Sequence, residues 1–264
     1  MPHPAAPTHD TAAPAAAARP APAARRPRPA WWAELLLAGA GYALYTVSRN
    51  AVPDHRAAAL RRAEEILDAE RSLHLSFELA LNHAADHVTW LITGMNYYYA
   101  TLHFIVTIGA LLWLYVRRPE HFREARTALY AATAAALAGF YLYALAPPRF
   151  LSGDGFIDTV VVHHTWGSWA SSSVDTVSNQ YAAMPSVHIV WSTWCAVVLY
   201  RHARNRAVRA AALCYPAATL VVIISTANHF EADALAGLLT IGAGFAAARW
   251  TARFSFRSFR APLA

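Results

Sequence analysis

The chain has 264 residues, 56% of them hydrophobic and only 14% charged, with a formal charge of +6 and a mean hydropathy of +0.25. Soluble domains carry about 25% charged residues, so the polar complement is too small to keep this much apolar side chain in water, and disorder is excluded for most of the chain. Two cysteines exclude a disulfide framework, and ligands for a zinc ribbon are lacking. All 22 basic residues are Arg, and they cluster between apolar segments rather than along one stripe. That argues against nucleic acid as a partner and for basic loops that orient a membrane protein. The Lys-free, Ala-rich composition points to a GC-rich bacterial genome.

Residues 1–30 are Ala, Pro and Arg without apolar periodicity, which predicts a disordered tail. The first apolar stretch, Trp31 to Val47, reads as a retained signal-anchor helix. Ala57 to Leu73 then sets Ala58, Leu60, Ile66, Leu67 and Leu73 among Arg61, Arg62, Glu64, Glu65, Asp68 and Glu70, the pattern of an amphipathic helix at the membrane surface. Val88–Ile92 is apolar but brief, a half-buried lead-in. Five further segments could cross roughly 30 Å of hydrocarbon: Tyr97–Val116, Thr127–Ala146, Val187–Tyr200, Val208–Ser225 and Ala232–Ala248. The expected architecture is an all-α polytopic membrane helical bundle of about six transmembrane helices with one interfacial helix. Its bundle domain covers residues 31–250, and residues 251–264 form a basic tail.

Arginine placement orients these spans. Arg117, Arg118, Arg123 and Arg126 lie between spans two and three; Arg201, Arg204, Arg206 and Arg209 between four and five; Arg249, Arg253, Arg257 and Arg260 after six. The loop between three and four holds only Arg149, and the turn between five and six none. The positive-inside rule puts the Arg-rich loops and both termini in the cytoplasm. The segment after span one, with five Arg, runs against this pattern.

Charged and His residues at membrane depth are functional candidates, and three clusters fall on the extracytoplasmic side. They are Ala146-Pro147-Pro148-Arg149, Met184-Pro185-Ser186-Val187-His188 and Asn228-His229-Phe230-Glu231-Ala232-Asp233. Arg149 offers a planar fork for phosphate oxygens. Ser186, where span four begins, joins its hydroxyl to free helix N–H groups. His188 can donate a proton. His229 and Asp233, four residues apart, can pair on one helical face, the carboxylate orienting the imidazole. Together they describe metal-independent phosphoryl transfer through a phosphohistidine, with no cofactor and no metal ligands. Each residue also has a plainer role: Ser186 as an N-cap, Asp233 as a first-turn acid, His229 with Asp233 as a structural hydrogen bond, His188 and Arg149 as interfacial groups. His103 and Asn96 are candidates for lining the pocket; His163 and His164 read as exposed loop residues, and Glu231 lies off the His229–Asp233 face.

Pro-Ser-Val-His at 185–188, followed about forty residues on by His-Phe-Glu-Ala-Asp at 229–233, resembles the second and third signatures of the type 2 phosphatidic acid phosphatase (lipid phosphate phosphatase) superfamily. Ala-Pro-Pro-Arg at 146–149 and Tyr-Ala-Ala-Met-Pro-Ser-Val-His at 181–188 resemble its inositol-phosphorylceramide-synthase-like branch. The resemblance spans roughly residues 90 to 250. It implies that His229 is the nucleophile, that Asp233 raises its basicity, that His188 protonates the leaving group, and that Ser186 and Arg149 bind the phosphoryl oxygens. Two positions depart from the family pattern: the chain has no Lys for the first signature, and Ile223 stands where the third carries Arg.

The expected protein is therefore a multi-pass plasma-membrane enzyme that acts on a lipid phosphate or prenyl (di)phosphate, with its site on the extracytoplasmic side. Hydrolysis and transfer to an alcohol acceptor both fit the residues. A lipid-binding or transport protein with a relic site is the non-enzymatic alternative.

Overall fold

The computed structural model describes residues 28–50, 56–165 and 181–258. The expected tail at residues 1–27 and the end of the chain from 259 lie outside them. The described chain is helical, its only bridge being a parallel one between Leu145 and Ala182. In chain order the helices are α1 (Trp31–Asn50), α2 (Arg56–Ser72), α3 (Glu78–Asp86), α4 (Thr89–Tyr97), α5 (His103–Arg117), α6 (Pro119–Leu142), α7 (Thr159–Val162), α8 (Val187–His202), α9 (Arg206–Ser225) and α10 (Glu231–Ser258).

Three elements differ from the reading of the sequence. Val88–Ile92 is no lead-in: α4 begins at Thr89 and continues through a π turn at Tyr98–Leu102 into α5, a 29-residue rod from Thr89 to Arg117. The helix expected at Thr127–Ala146 is shifted toward the N-terminus. Pro119 starts it, where a missing N–H costs nothing, and it stops at Leu142 because Pro147-Pro148 cannot continue it and biases the residue before toward extended backbone. Helix α3 was not expected at all.

By length and composition three described helices can cross a membrane: Thr89–Arg117, Arg206–Ser225 and Glu231–Phe254. Six were expected. Helix α8 has 16 residues, short of the roughly 20 that span the hydrocarbon, and α6 carries Glu120, Arg123, Glu124 and Arg126 in its first turns. The chain is an all-α membrane bundle.

The main core lies between α5, α6, α8 and α10. Leu114, Phe122, Ala128, Leu129, Ala132, Val190, Trp194, Cys195, Val198, Ile241 and Ala248 are buried together, and the Trp194 indole N–H donates to the Ala125 carbonyl at 2.8 Å. Small residues on α6 let α10 come close. A Cβ added at Gly244 would lie 2.5 Å from the Ala128 carbonyl oxygen and 2.7 Å from the Ala132 Cβ. Backbone cannot yield as a flexible side chain does, so Gly244→Ala is expected to destabilise the bundle by about 1–3 kcal/mol. A melt of the detergent-solubilised variant that coincides with wild type would contradict this packing.

The two ends of the bundle differ. At one end the Arg118 Nε donates to the His202 carbonyl at 3.1 Å, the rings of His121 and His202 stack at 4.1 Å, and an Arg28 N–H reaches the Val116 carbonyl at 3.0 Å. Arg126 and Glu34 pair there as well. At the other end α5 and α8 begin, α9 ends, and α10 begins.

Candidate active site

The site is assembled where the chain leaves α6. Leu145 and Ala146 are extended and fully buried. The Leu145 N–H donates to the Tyr181 carbonyl at 2.8 Å, and the Ala183 N–H to the Leu145 carbonyl at 3.3 Å. From α2, the Ala59 carbonyl accepts the Ala146 N–H at 3.2 Å, and Arg62 donates to the Ala144 carbonyl at 2.9 Å. This knot seats the 3-10 turn Pro148–Phe150 beside the end of α9 and brings the segment leading to Ser186 alongside.

Arg149 is held at three points. Its N–H donates to the Ala227 carbonyl at 3.0 Å, an Nη1 hydrogen goes to Asn228 Oδ1, and its Nε faces Asp158 Oδ2 at 3.5 Å. Asn228, 2% exposed, is fixed in turn by donating to Thr226 Oγ1 at 2.8 Å. The sequence analysis quoted Asn228 beside His229 without giving it a role, and passed over Asp158. An Asn adjoining the candidate His229 was a usable signal; Asp158, nine residues beyond Arg149, carried none.

Helix α9 closes with paired reverse bonds, Asn228 N–H to the Ile223 carbonyl at 3.0 Å and Ala227 N–H to the Ile224 carbonyl at 2.9 Å. This is a Schellman end, with Ala227 rather than Gly at the left-handed position, φ +51°. The sharp reversal turns His229 back over the helix end.

His229 and Asp233 meet as expected, though not along one helix. His229 precedes α10, whose third residue is Asp233. The Asp233 carboxylate caps the helix by accepting the Phe230 N–H at 3.0 Å, the arrangement of a capping box. The same Oδ2 lies 3.1 Å from His229 Nδ1. The first-turn-acid role and the His partner role are thus filled by one atom. A carboxylate only accepts, so Nδ1 carries the hydrogen and Nε2 keeps its lone pair. Nε2 is buried and has no hydrogen-bond partner.

Ser186 occupies the N-cap position of α8 with extended backbone, yet its side chain makes no capping bond. Its Oγ is buried and without a partner, while its N–H donates to the Asp233 carbonyl at 3.0 Å. Gly237, one turn into α10, permits this contact: a Cβ there would lie 2.7 Å from the Ser186 carbonyl oxygen. Helices α8 and α10 therefore present an unengaged hydroxyl and an unengaged imidazole nitrogen from joined termini.

His188, half-buried, is the second residue of α8. Its Nε2 donates to the Tyr99 carbonyl at 3.2 Å, and its ring stacks on Tyr99 at 4.2 Å and 22°. Because a carbonyl can only accept, Nδ1 is the nitrogen left for proton exchange. The rings of His188 and His229 are 5.6 Å apart between centroids. His103, buried, lies 4.3 Å from His188 on its other side. Tyr99 belongs to the π turn, and π turns recur at functional sites.

Asn96 does not reach this group: it donates to the Thr159 carbonyl at 3.1 Å and accepts from Thr159 Oγ1 at 2.9 Å, joining α4 to α7. His163, read as an exposed loop residue, contacts Asp86 Oδ1 at 2.7 Å and is 12% exposed at its side chain.

One group was not anticipated from the sequence. Glu70, Glu78 and Glu231 each offer a carboxylate oxygen, and these atoms lie within 4.8 Å of one another. Glu70 continues the buried stripe Ala59, Ala63, Leu67 of α2, an apolar position held by an acid, which is the signal that was available. Its Oε1 accepts the Ala232 N–H at 2.8 Å. Burial, with the Glu78 and Asp233 charges adding to it, pushes the Glu70 carboxyl up to about 7 against the pull of that hydrogen bond.

A family model, the PAP2 superfamily, matches residues 64–247, the stretch that holds every group described above from Glu70 to Asp233. The chain belongs to the PAP2 superfamily and carries phosphatase-type chemistry. No curated protein and no solved structure matches it.

Proposed function

We propose that this protein is an integral membrane phosphatase that cleaves a lipid phosphate or diphosphate through a phosphohistidine at His229, without a metal at the phosphoryl group. The observation that carries the reading is the buried His229 Nε2, unpartnered while Asp233 holds Nδ1 at 3.1 Å. His229 Nε2 attacks phosphorus, forming the N–P bond as the P–O bond to the lipid breaks. His188, as the imidazolium with Nε2–H still on the Tyr99 carbonyl, gives its Nδ1 proton to the leaving oxygen. Water then attacks phosphorus, losing a proton to His188, and the N–P bond breaks to release phosphate. Ser186 Oγ and Arg149 hold the non-bridging oxygens.

A lipid substrate is supported by a site built at helix ends in a bundle with membrane-length helices, where a phosphate head group could reach it. The grouping of Arg28, Arg118 and Arg126 at the end opposite His229 supports a site facing the extracytoplasmic side of the plasma membrane, with both termini cytoplasmic. An alcohol in place of water would make the same intermediate a transferase intermediate, the inositol-phosphorylceramide-synthase-type reaction.

The test is trapping. Protein mixed briefly with 32P-labelled phosphatidic acid or prenyl phosphate and quenched in alkali, where a phosphoramidate survives, should retain label on His229. Turnover with no alkali-stable label, or label on another residue, would overturn the covalent step. Adding myo-inositol or another alcohol and analysing products separates hydrolysis from transfer.

A further inference from the structure

Behind the catalytic turn, the Glu70, Glu78 and Glu231 carboxylates converge without any counter-charge among the described residues. Glu78 is 0% exposed, and neither of its oxygens meets a donor other than the neighbouring Glu70 and Glu231 carboxyls; Glu70 Oε2 and both Glu231 oxygens are likewise buried with no donor outside the cluster. None of the three enters an ion pair with a described Arg or His. Like charges this close in a low-dielectric setting repel strongly, and a buried carboxylate with both oxygens unengaged is costly. Something must compensate them, and the N-terminus of α10 supplies only a partial charge.

We propose that Glu70, Glu78 and Glu231 bind one hard divalent cation of the calcium or magnesium kind. Three oxygens within 4.8 Å of one another fit around such an ion, since opposed ligands at about 2.3–2.6 Å stand about 4.6–5.2 Å apart. An all-carboxylate set selects hard cations over zinc or copper. The three ligands come from α2, α3 and the first residue of α10, so the ion would clasp the two helices that precede the bundle to the helix that carries Asp233. Glu70 completes the link through its bond to the Ala232 N–H. The ion serves to fix that turn, apart from the phosphoryl chemistry, so the site stands or falls independently of the phosphohistidine.

The experiment uses the full-length protein in detergent, stripped with chelator and returned to buffer with CaCl2 or MgCl2. Metal content and melting temperature are the readouts. One ion per chain and a rise in melting temperature of about 5 °C at a hundredfold excess over Kd are expected. Glu78→Gln should lower cation affinity at least about tenfold and cut the rise to about half or less, while melting no lower than stripped wild type, because it removes one of the repelling charges. Glu231→Gln, at the less buried position, gives the same readout should Glu78→Gln not fold. His229→Ala should keep the full rise. Absence of bound ion and of any shift with both cations, or an undiminished shift in the Gln variants, would overturn the site and leave shared protons as the compensation.

Discussion

Replacing His229 by alanine is expected to lower phosphate release from phosphatidic acid or a prenyl phosphate by at least about 10³-fold, with little change in the melting temperature. The geometry separates the two effects. His229 makes one side-chain hydrogen bond, to an Asp233 oxygen that is also held by the Phe230 N–H, so the helix cap survives removal of the ring. What is lost is the nitrogen proposed to bond to phosphorus. Asp233→Asn should also impair the chemistry and be worse in stability. Its amide can still meet Phe230, yet the carboxylate that keeps Nδ1 protonated is gone, and a drop of about 10²–10⁴-fold is expected. Unchanged turnover by His229→Ala would remove the nucleophile from this site; full activity in Asp233→Asn would reduce the acid to a helix cap.

Arg149→Lys should cost about 10²-fold in kcat/KM despite keeping the charge. The guanidinium already engages Asn228 and faces Asp158, and its planar fork has further N–H groups to direct at a phosphoryl oxygen. An ammonium on a flexible stem can satisfy Asp158 or a phosphate, not a fixed set of both. Since the chain has no Lys in place of the missing first signature and Ile223 where the third has Arg, no second cation of the usual pattern shares the load. A fall confined to KM would make Arg149 a binder of the ground state; identical kinetics would assign it to holding the Ala227–Asn228 turn alone.

What the sequence revealed depended on how local each feature was. Pro-Ser-Val-His and the His229–Asp233 spacing were legible because the groups sit within a turn of one another, and their chemistry is written in residue type. The helical class followed from composition and apolar run length. Boundaries were less accessible: α6 is placed by Pro119 and Pro147 rather than by its apolar centre, and α4 joins α5 across Tyr97–Leu102, where aromatic residues resembled an interfacial belt. Least accessible were contacts between distant segments. Nothing near Arg149 announces Asn228 as its partner, Glu70 read as one of the polar residues of an amphipathic helix, and Glu78 drew no reading at all until α2 and α3 were packed against α10. Asn96, offered as a pocket-lining candidate, has its amide taken up by Thr159 of α7, another contact between distant segments.

The π turn at Tyr98–Leu102 sets the phase between the two halves of its rod. One residue more or less in a helix rotates everything beyond it by about 100°, so the widened turn is what allows Asn96 to face α7 while His103 faces His188. Deleting a single residue there would leave a longer, more regular and locally more comfortable helix. It would also swing one half out of phase with the other, detaching either the anchor to α7 or the imidazole row. The irregularity is a register key: shortening this segment should spare the hydrophobic length that crosses a bilayer and still disrupt the end that carries His103, His188 and His229.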